Sequence, residues 1–320
     1  SFFDSDYYSE GRQTRRVDRA YDAPVSALSF NWNSISIYVR PGKKEGDPAR
    51  VYTDPELPNI FIKNKATTTE NKKTTVEVRR KLKKGIIEIN VKGKISTSKD
   101  EKAFYKSIGD AAIWTGQTFV KMLNQAGIEY QGPVAKKTTP VNATQLIEHD
   151  GWSVPRLMAA LSKFSNNFVA EMMTKHLSIK GSEPGNIDGG LAKIVSYLKG
   201  HKWPESEFVF VNPSGFTRQN KMRADLLGSL LESARKDFNT APEFLSSLPI
   251  SGTDGTLKRR MKQTMKGKVR AKTGYLTGVV GLAGYMESRS GGEPLTFVFM
   301  YNGPYKKDWA VRAMFNRLLW

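Results

Sequence analysis

Hydrophobic and polar residues alternate along much of the first hundred positions, which is the pattern of strands that bury one face. The clearest case runs from Val25 to Val39, where aromatic and β-branched residues are frequent. It predicts a strand pair or one long strand, and Pro41-Gly42 ends it. Shorter segments of the same kind follow at 49–53, 59–63, 74–82 and 86–95. Lys83-Lys84-Gly85 separates the last two and predicts a hairpin. The first hundred residues are therefore expected to be mostly β.

After Asp100 the apolar residues change to a helical spacing. They recur from Phe104 to Leu123 at roughly helical intervals, and Gly127 then supplies a typical C-terminal stop. Further helical patterns occupy 153–163, 167–178, 188–199 and 222–236. A short strand, Phe208–Val211, precedes the last of them. The change of period predicts a domain border near residue 100.

The pattern returns to β near the end of the chain. Three strands are predicted at 269–273, 279–286 and 295–301, and a terminal helix at 307–320. Strands in sequence with short connections pair antiparallel. This region is therefore expected to form an antiparallel sheet flanked by helices.

Composition excludes several classes of protein. With 11% aromatic and 25% charged residues, the chain is a folded globular protein. It has no cysteine, which suits an oxidising compartment, and no run of about 18 apolar residues that would span a membrane. Its three histidines lack the spacing of a zinc hydrolase. The chain begins with Ser1, so we expect a processed or excised product.

The net charge of +19 calls for an anionic partner or environment. Residues 63–106 hold 14 Lys and Arg against 5 Asp and Glu, and a second cluster extends from Lys258 to Lys268. Two solvated basic faces and a true polyanion-binding surface explain this excess equally well. A nucleic-acid-binding protein is one alternative, but the sequence contains no recognisable module for that function.

Two short motifs carry candidate chemistry. Lys272-Thr273-Gly274, on a predicted strand, offers an ammonium and a hydroxyl that can receive a carboxylate. The glycine is small enough to let a peptide lie along the strand edge. Ser165-Asn166-Asn167 lies between two predicted helices and can present a hydroxyl and a carboxamide to one cleft. Alone, the first motif is better explained as an ordinary basic edge strand, and the second as a helix N-cap.

Together, and in this order, the motifs match two of the three that characterise penicillin-binding proteins. The chain resembles the class C low-molecular-mass penicillin-binding proteins, the D-alanyl-D-alanine carboxypeptidase/endopeptidase family. The resemblance extends over segments 21–31, 212–220 and 248–257. It implies an α/β (α+β) fold, with a transpeptidase-like antiparallel sheet flanked by helices over 101–320. Residues 1–100 would be part of a β-rich accessory domain inserted in it.

The resemblance also implies an activity and a role for each site residue. A serine nucleophile would form an acyl-enzyme with peptidoglycan peptides, without metal or cofactor, in the periplasm or outside the cell. Ser165 would relay a proton, Asn167 would bind the substrate amide and Lys272 would set the local field. Thr273 would bind the terminal carboxylate beside Gly274, and the Tyr275 N–H would contribute to the oxyanion hole. The family usually has a small hydroxyl residue at the position of Tyr275. β-Lactams would acylate the same site; neither nucleic acid nor a membrane span is expected.

The third motif of the family, S-x-x-K, has no convincing match. Three matches begin at Ser96, Ser196 and Ser233, but none precedes the β-rich part. We therefore expect the nucleophile upstream of this chain. The alternative is a non-catalytic peptidoglycan-binding pseudoenzyme or fragment.

Overall fold

The structure, a computed structural model, describes residues 2–9, 19–140, 142–261, 264–304 and 307–319. The described residues fall into two compact units. The first lies within Ser1–Tyr8 and Arg12–Gln145, and the second within Ser9–Gly11 and Leu146–Trp320. The expected border at residue 100 falls inside the first unit. The assignment of an accessory and a transpeptidase domain stays a prediction.

The first unit contains two three-stranded sheets and a helix. The strand order is β2-β1-β6 in one sheet and β3-β5-β4 in the other. The elements are β1 (Ser34–Arg40), β2 (Arg50–Asp54), β3 (Ile60–Thr69), β4 (Glu77–Lys83), β5 (Ile86–Ser96), β6 (Lys102–Ser107) and α1 (Ala111–Gln125). One apolar cluster, from Ile35 to Trp114, is the core of this unit.

The predicted hairpin at Lys83-Lys84-Gly85 is confirmed. β4 and β5 pair antiparallel, with Lys83 opposite Ile86. Lys84 and Gly85 both have positive φ, 48° and 80°, as a two-residue hairpin turn requires. β3 pairs parallel to β5, which local alternation does not predict because it depends on a long-range connection.

Two predictions for this unit were wrong. The strand begins only at Ser34, because Asn31, Trp32 and Asn33 have left-handed φ values of 51°, 56° and 50° that interrupt extended backbone. Residues 102–107 are strand β6, paired with β1, and not the start of a helix. The helix starts at Ala111, where the Asp110 side chain accepts hydrogen bonds from the Ala112 and Ile113 N–H groups.

The second unit is built around an antiparallel sheet of order β11-β10-β9, as predicted. Its elements are α2 (Val154–Phe164), α3 (Asn167–Leu177), α4 (Ile187–Gly200), β7 (Phe208–Val209), β8 (Lys221–Met222), α5 (Ala224–Lys236), α6 (Ala241–Ser247), β9 (Val269–Leu276), β10 (Val279–Met286), β11 (Leu295–Asn302) and α7 (Asp308–Leu318). α6 was missed because seven residues are too few to show a helical period. The predicted end of the terminal helix, Trp320, lies outside the described residues.

Helices cover both faces of this sheet. Val280 and Leu282 of β10 belong to the buried cluster that contains Phe315 of α7. Tyr285, on the opposite face, packs with Leu231 of α5, and its hydroxyl donates to the Leu231 carbonyl at 2.6 Å. The sheet is therefore buried on two sides, which fixes β9 as a rigid support. In the ranges described, no helix is both long and apolar enough to cross a bilayer.

Two glycines of β10 give a matched test of this packing. A Cβ on Gly284 would lie 2.2 Å from the Arg270 carbonyl oxygen, whereas one on Gly281 would lie 3.7 Å from the Gly274 Cα, an ordinary contact. We expect Gly284→Ala to lower the free energy of unfolding by ~3 kcal/mol or more, and Gly281→Ala by less than ~1 kcal/mol. Urea denaturation measures both, and equal losses would contradict the close approach of β9 and β10.

Candidate active site

The Ser-x-Asn motif lies at the junction of two helices, as its flanking patterns predict. Ser165 ends α2 in a left-handed conformation, φ 54° and ψ 50°, and its side chain is exposed. The Asn166 side chain caps α3 by accepting the Val169 N–H at 3.4 Å. Asn167 is the first residue of α3 and is half-buried. The middle residue therefore supplies the cap, which leaves Ser165 and Asn167 available for other contacts.

Lys272 of β9 joins the two motifs. Its Nζ donates to the Ser165 Oγ at 2.7 Å and to the Thr273 carbonyl oxygen at 2.7 Å. The first contact joins residues 107 positions apart in the chain. The sequence-predicted Ser165 and Lys272 thus meet, with Thr273 beside them.

Burial lowers the pKa of Lys272 to about 8. The desolvated ammonium is less stable than one in water, so the proton is lost more easily. At neutral pH the group is still mostly charged, and above pH 8 it becomes mostly neutral. Lys272 can therefore change its charge near pH 8.

The edge of β9 is covered only in part. The Ala271 N–H donates to the Pro249 carbonyl at 3.0 Å, and the Ser251 N–H donates to the Val269 carbonyl at 2.9 Å. Because backbone groups alternate along a strand, the N–H groups of Thr273 and Tyr275 point to the same side as that of Ala271. They lie beyond the segment that these contacts cover, where an extended peptide can pair with the strand.

The side chains of Thr273 and Tyr275 have neighbours that the sequence did not reveal. The Thr273 hydroxyl donates to the Thr256 Oγ1 at 2.9 Å. The Tyr275 side chain is 55% exposed, and the Arg312 guanidinium lies 4.1 Å from its ring centroid. Gly274 pairs with Gly281 of β10, so no side chain rises from either position beside Lys272 on the face that they share.

A second lysine ties the end of α2 to the loop before β9. Lys163 Nζ lies 2.6 Å from the Asp254 Oδ2 and donates to the Leu248 carbonyl at 3.0 Å. The other carboxylate oxygen of Asp254 accepts the Ile250 N–H at 2.8 Å. These residues hold the α2 terminus against the loop that contributes Thr256. Segment 248–257 is part of the family resemblance in the sequence, but none of its residues was predicted to belong to the site.

The three S-x-x-K serines are placed elsewhere. Ser96 is fully buried in β5 of the first unit, Ser196 is exposed on α4, and Ser233 is half-buried on α5. The side-chain hydrogen bonds of Lys272 within the described chain go to Ser165 and Thr273. Across the same residues, no group of three or more His, Asp or Glu side chains is arranged to hold a metal ion.

The low pKa of Lys272 predicts a pH-dependent effect on stability. Its folded pKa lies below the unfolded value, so the charged form opposes folding below pH 8, and the penalty disappears as pH rises towards about 10.4. Lys272→Met removes this penalty, so the substitution should be more stabilising at pH 7 than at pH 10. We expect the change in the free energy of unfolding that it causes to be about 1–2 kcal/mol more favourable at pH 7. Denaturant titration at both pH values measures this difference. The exposed Lys266→Met is the control, and a pH-independent effect of Lys272→Met would contradict burial of the ammonium.

The Lys163–Asp254 ion pair generates a second stability prediction. Lys163→Met leaves a half-buried carboxylate without its cation, so we expect a loss of about 1–2 kcal/mol in thermal denaturation. Lys199→Met removes an exposed pair with Glu205 and should change stability by less than ~0.5 kcal/mol. Equal effects of the two substitutions would show that the loop does not depend on Lys163.

Known proteins share both the sequence and the fold of this chain. It is 28% identical to the D-alanyl-D-alanine carboxypeptidase of Actinomadura sp. (strain R39) over 95% of its length, which is 58% of that protein. It is 26% identical to the D-alanyl-D-alanine carboxypeptidase DacB of Haemophilus influenzae over 62% of its length, which is 42% of that protein. The chain thus spans about half the length of these relatives.

The crystal structure of penicillin binding protein 4 (dacB) from Haemophilus influenzae superposes with a TM-score of 0.75 at 21% identity, over 100% of this chain and 73% of that one. The same protein complexed with a novel β-lactam gives a TM-score of 0.67 at 21% identity, over 93% of this chain and 72% of that one. These likenesses establish the mixed α/β fold with its antiparallel sheet. The model of the D-Ala-D-Ala carboxypeptidase 3 (S13) family matches residues 1–316, and the chain therefore belongs to this family.

Proposed function

We propose that this chain supplies the substrate-binding and proton-relay residues of a serine-type D-alanyl-D-alanine carboxypeptidase/endopeptidase that hydrolyses peptidoglycan peptides. The observation that carries the proposal is the 2.7 Å contact between the Lys272 ammonium and the Ser165 hydroxyl. It brings the two family motifs together beside an open strand edge. Family membership and the carboxypeptidase activity for which the relatives are named support the same reaction class.

The reaction has two steps, acylation and hydrolysis. In acylation, the serine hydroxyl of an S-x-x-K pair loses its proton to the lysine and attacks the carbonyl carbon of the penultimate D-alanine. The peptide C–N bond breaks, and the departing amine takes up a proton. Water then attacks the ester, releases the shortened peptide and regenerates the hydroxyl. None of Ser96, Ser196 and Ser233 is proposed as this nucleophile, because none of them contacts Lys272.

The residues of this chain bind and polarise the substrate. Ser165, hydrogen-bonded to Lys272, passes a proton to the leaving amine. Asn167, two residues away at the start of α3, binds the substrate amide. The outward-facing N–H of Tyr275 contributes a donor to the oxyanion hole. The Lys272 ammonium stabilises the developing negative charge at this site.

The strand edge determines how the peptide lies. We place the terminal D-alanine carboxylate at the Thr273 hydroxyl, which turns its hydrogen from Thr256 to the carboxylate and accepts from the Thr256 hydroxyl instead, and the peptide backbone along Gly274. Tyr275 and the stacked Arg312 border the same edge, so they narrow the pocket relative to the small hydroxyl residue usual in the family. β-Lactams acylate the same serine, because they present a carboxylate and a strained amide in this geometry. The substrate places the protein outside the cytoplasm, in the periplasm or secreted.

The test is acylation by benzylpenicillin, followed by intact mass spectrometry of the protein expressed from its complete gene. We expect one penicillin per protein, and an acylation rate at least ~100-fold lower in Lys272→Met and Ser165→Ala. Ser229→Ala, on α5, is the control and should react at the wild-type rate. A protein that never gains mass would support the non-catalytic binding protein instead.

The pKa of Lys272 predicts the pH above which the acylation rate falls. The ammonium is required and is lost above pH 8, so the acylation rate should fall as pH rises through about 8. Lys272→Arg keeps its charge, so any residual rate should not show this fall up to pH 10. A wild-type rate that stays constant from pH 7 to pH 10 would contradict a role for the Lys272 charge.

A further inference from the structure

The sheet β3-β5-β4 of the first unit has one buried and one solvent-facing side. On β5, Ile87, Ile89 and Val91 are buried, whereas Lys92 and Lys94 are exposed. β3 and β4 alternate in the same register, so the outward residues of the three strands lie side by side. This outward side is a continuous surface.

The outward side is strongly basic. Seven cationic residues lie on it: Lys63, Lys65, Arg79, Lys81, Lys83, Lys92 and Lys94. We call this set the basic face. Its two outward acids are already engaged, Glu88 with Lys63 at 2.6 Å and Glu77 with Lys92 at 3.2 Å as well as with Arg79. Seven cations less two anions leave an excess of five positive charges.

The spacing of these charges suits a long partner. Outward residues repeat about every 6.8 Å along a strand, and neighbouring strands lie about 4.8 Å apart. At one end the surface continues into an open cleft lined by Lys72 and Lys73 together with Lys94. The charges thus form an array of regular spacing, extended at one end by this cleft.

The chemistry of the array favours carboxylates over nucleic acid. Six of the seven cations are lysines, which act as mobile point charges and do not fix planar groups as arginines do. Phe61 is the only aromatic residue among the outward positions 61–67, 77–83 and 86–94, whereas single-stranded nucleic acids are bound on stacked aromatic platforms. A strand surface of this width also offers no helix for a duplex groove.

We propose that the basic face is a second docking surface, separate from the cleavage site, for polymeric peptidoglycan, which it binds through the free carboxylates of the stem peptides. This inference rests on the proposed function, which supplies the substrate. Each exposed ion pair contributes little to binding because water screens it, so a single soluble peptide gains little from the basic face. A polymer that repeats the carboxylate many times gains avidity. The basic face therefore favours wall-bound over soluble substrate.

The experiment is co-sedimentation with purified peptidoglycan sacculi, freed of other wall polymers, at low and at 0.5 M salt. The test variant carries Lys65→Gln, Lys81→Gln, Lys83→Gln and Lys94→Gln. The control variant carries Lys180→Gln, Lys193→Gln, Lys202→Gln and Lys266→Gln, four exposed positions in the second unit. Both variants lose four charges, so net charge is matched.

We expect the test variant to bind sacculi at least ~10-fold more weakly at low salt, and the control variant to bind within ~2-fold of wild type. Amidation of the sacculus carboxylates should abolish the difference. Equal losses in both variants would overturn the proposal in favour of net charge alone. Wild-type binding that prefers single-stranded DNA to sacculi would overturn it in favour of nucleic acid.

Cleavage of a soluble D-Ala-D-Ala peptide and acylation by benzylpenicillin are measured in parallel. Both should be unchanged in both variants, because none of the substituted residues belongs to the cleavage site. Loss of sacculus binding with intact acylation supports the basic face. If the test variant is acylated normally and binds sacculi as well as the wild type, the docking role of the basic face is refuted and the proposed function is not. If the wild type itself is not acylated, the proposed function is refuted.

Discussion

The hydrogen bond between the Lys272 ammonium and the Ser165 hydroxyl depends on most of the second unit. A lysine is costly to desolvate, and the lowered pKa of Lys272 records that cost. The contact persists because each partner is held in place by its own secondary-structure elements. Lys272 is on a strand whose sheet is packed by helices on both faces, and Ser165 occupies a left-handed position between two capped helices. The unfavourable free energy of desolvating Lys272 is thus offset by packing elsewhere in the second unit.

The loop before β9 links these two supports. Through Lys163 and Asp254 it holds the end of α2, and through Thr256 it meets the hydroxyl of Thr273. A displacement of this loop would change both motifs at once, although none of its residues belongs to either. Second-layer contacts of this kind determine how accurately catalytic groups are held.

The sequence predicted the features that depend on local pattern or short motifs. β10 was predicted with its observed bounds, and the positions of Ser165 and Lys272 followed from the family motifs. Residues 102–107 were wrongly predicted because their apolar spacing fits a helix, while pairing with β1 makes them a strand. The Thr256–Thr273 and Lys163–Asp254 contacts could not be predicted, because they join segments that only the tertiary fold brings together. The parallel pairing of β3 with β5 could not be predicted for the same reason.

A double-mutant cycle on benzylpenicillin acylation tests most directly whether Ser165 and Lys272 act as one unit. The four proteins are the wild type, Ser165→Ala, Lys272→Met and the double variant, each expressed from the complete gene. If the hydrogen bond is the functional element, the double variant should react about as slowly as the slower single variant. If the two rate losses instead multiply in the double variant, the residues act independently, and the account of this site is wrong.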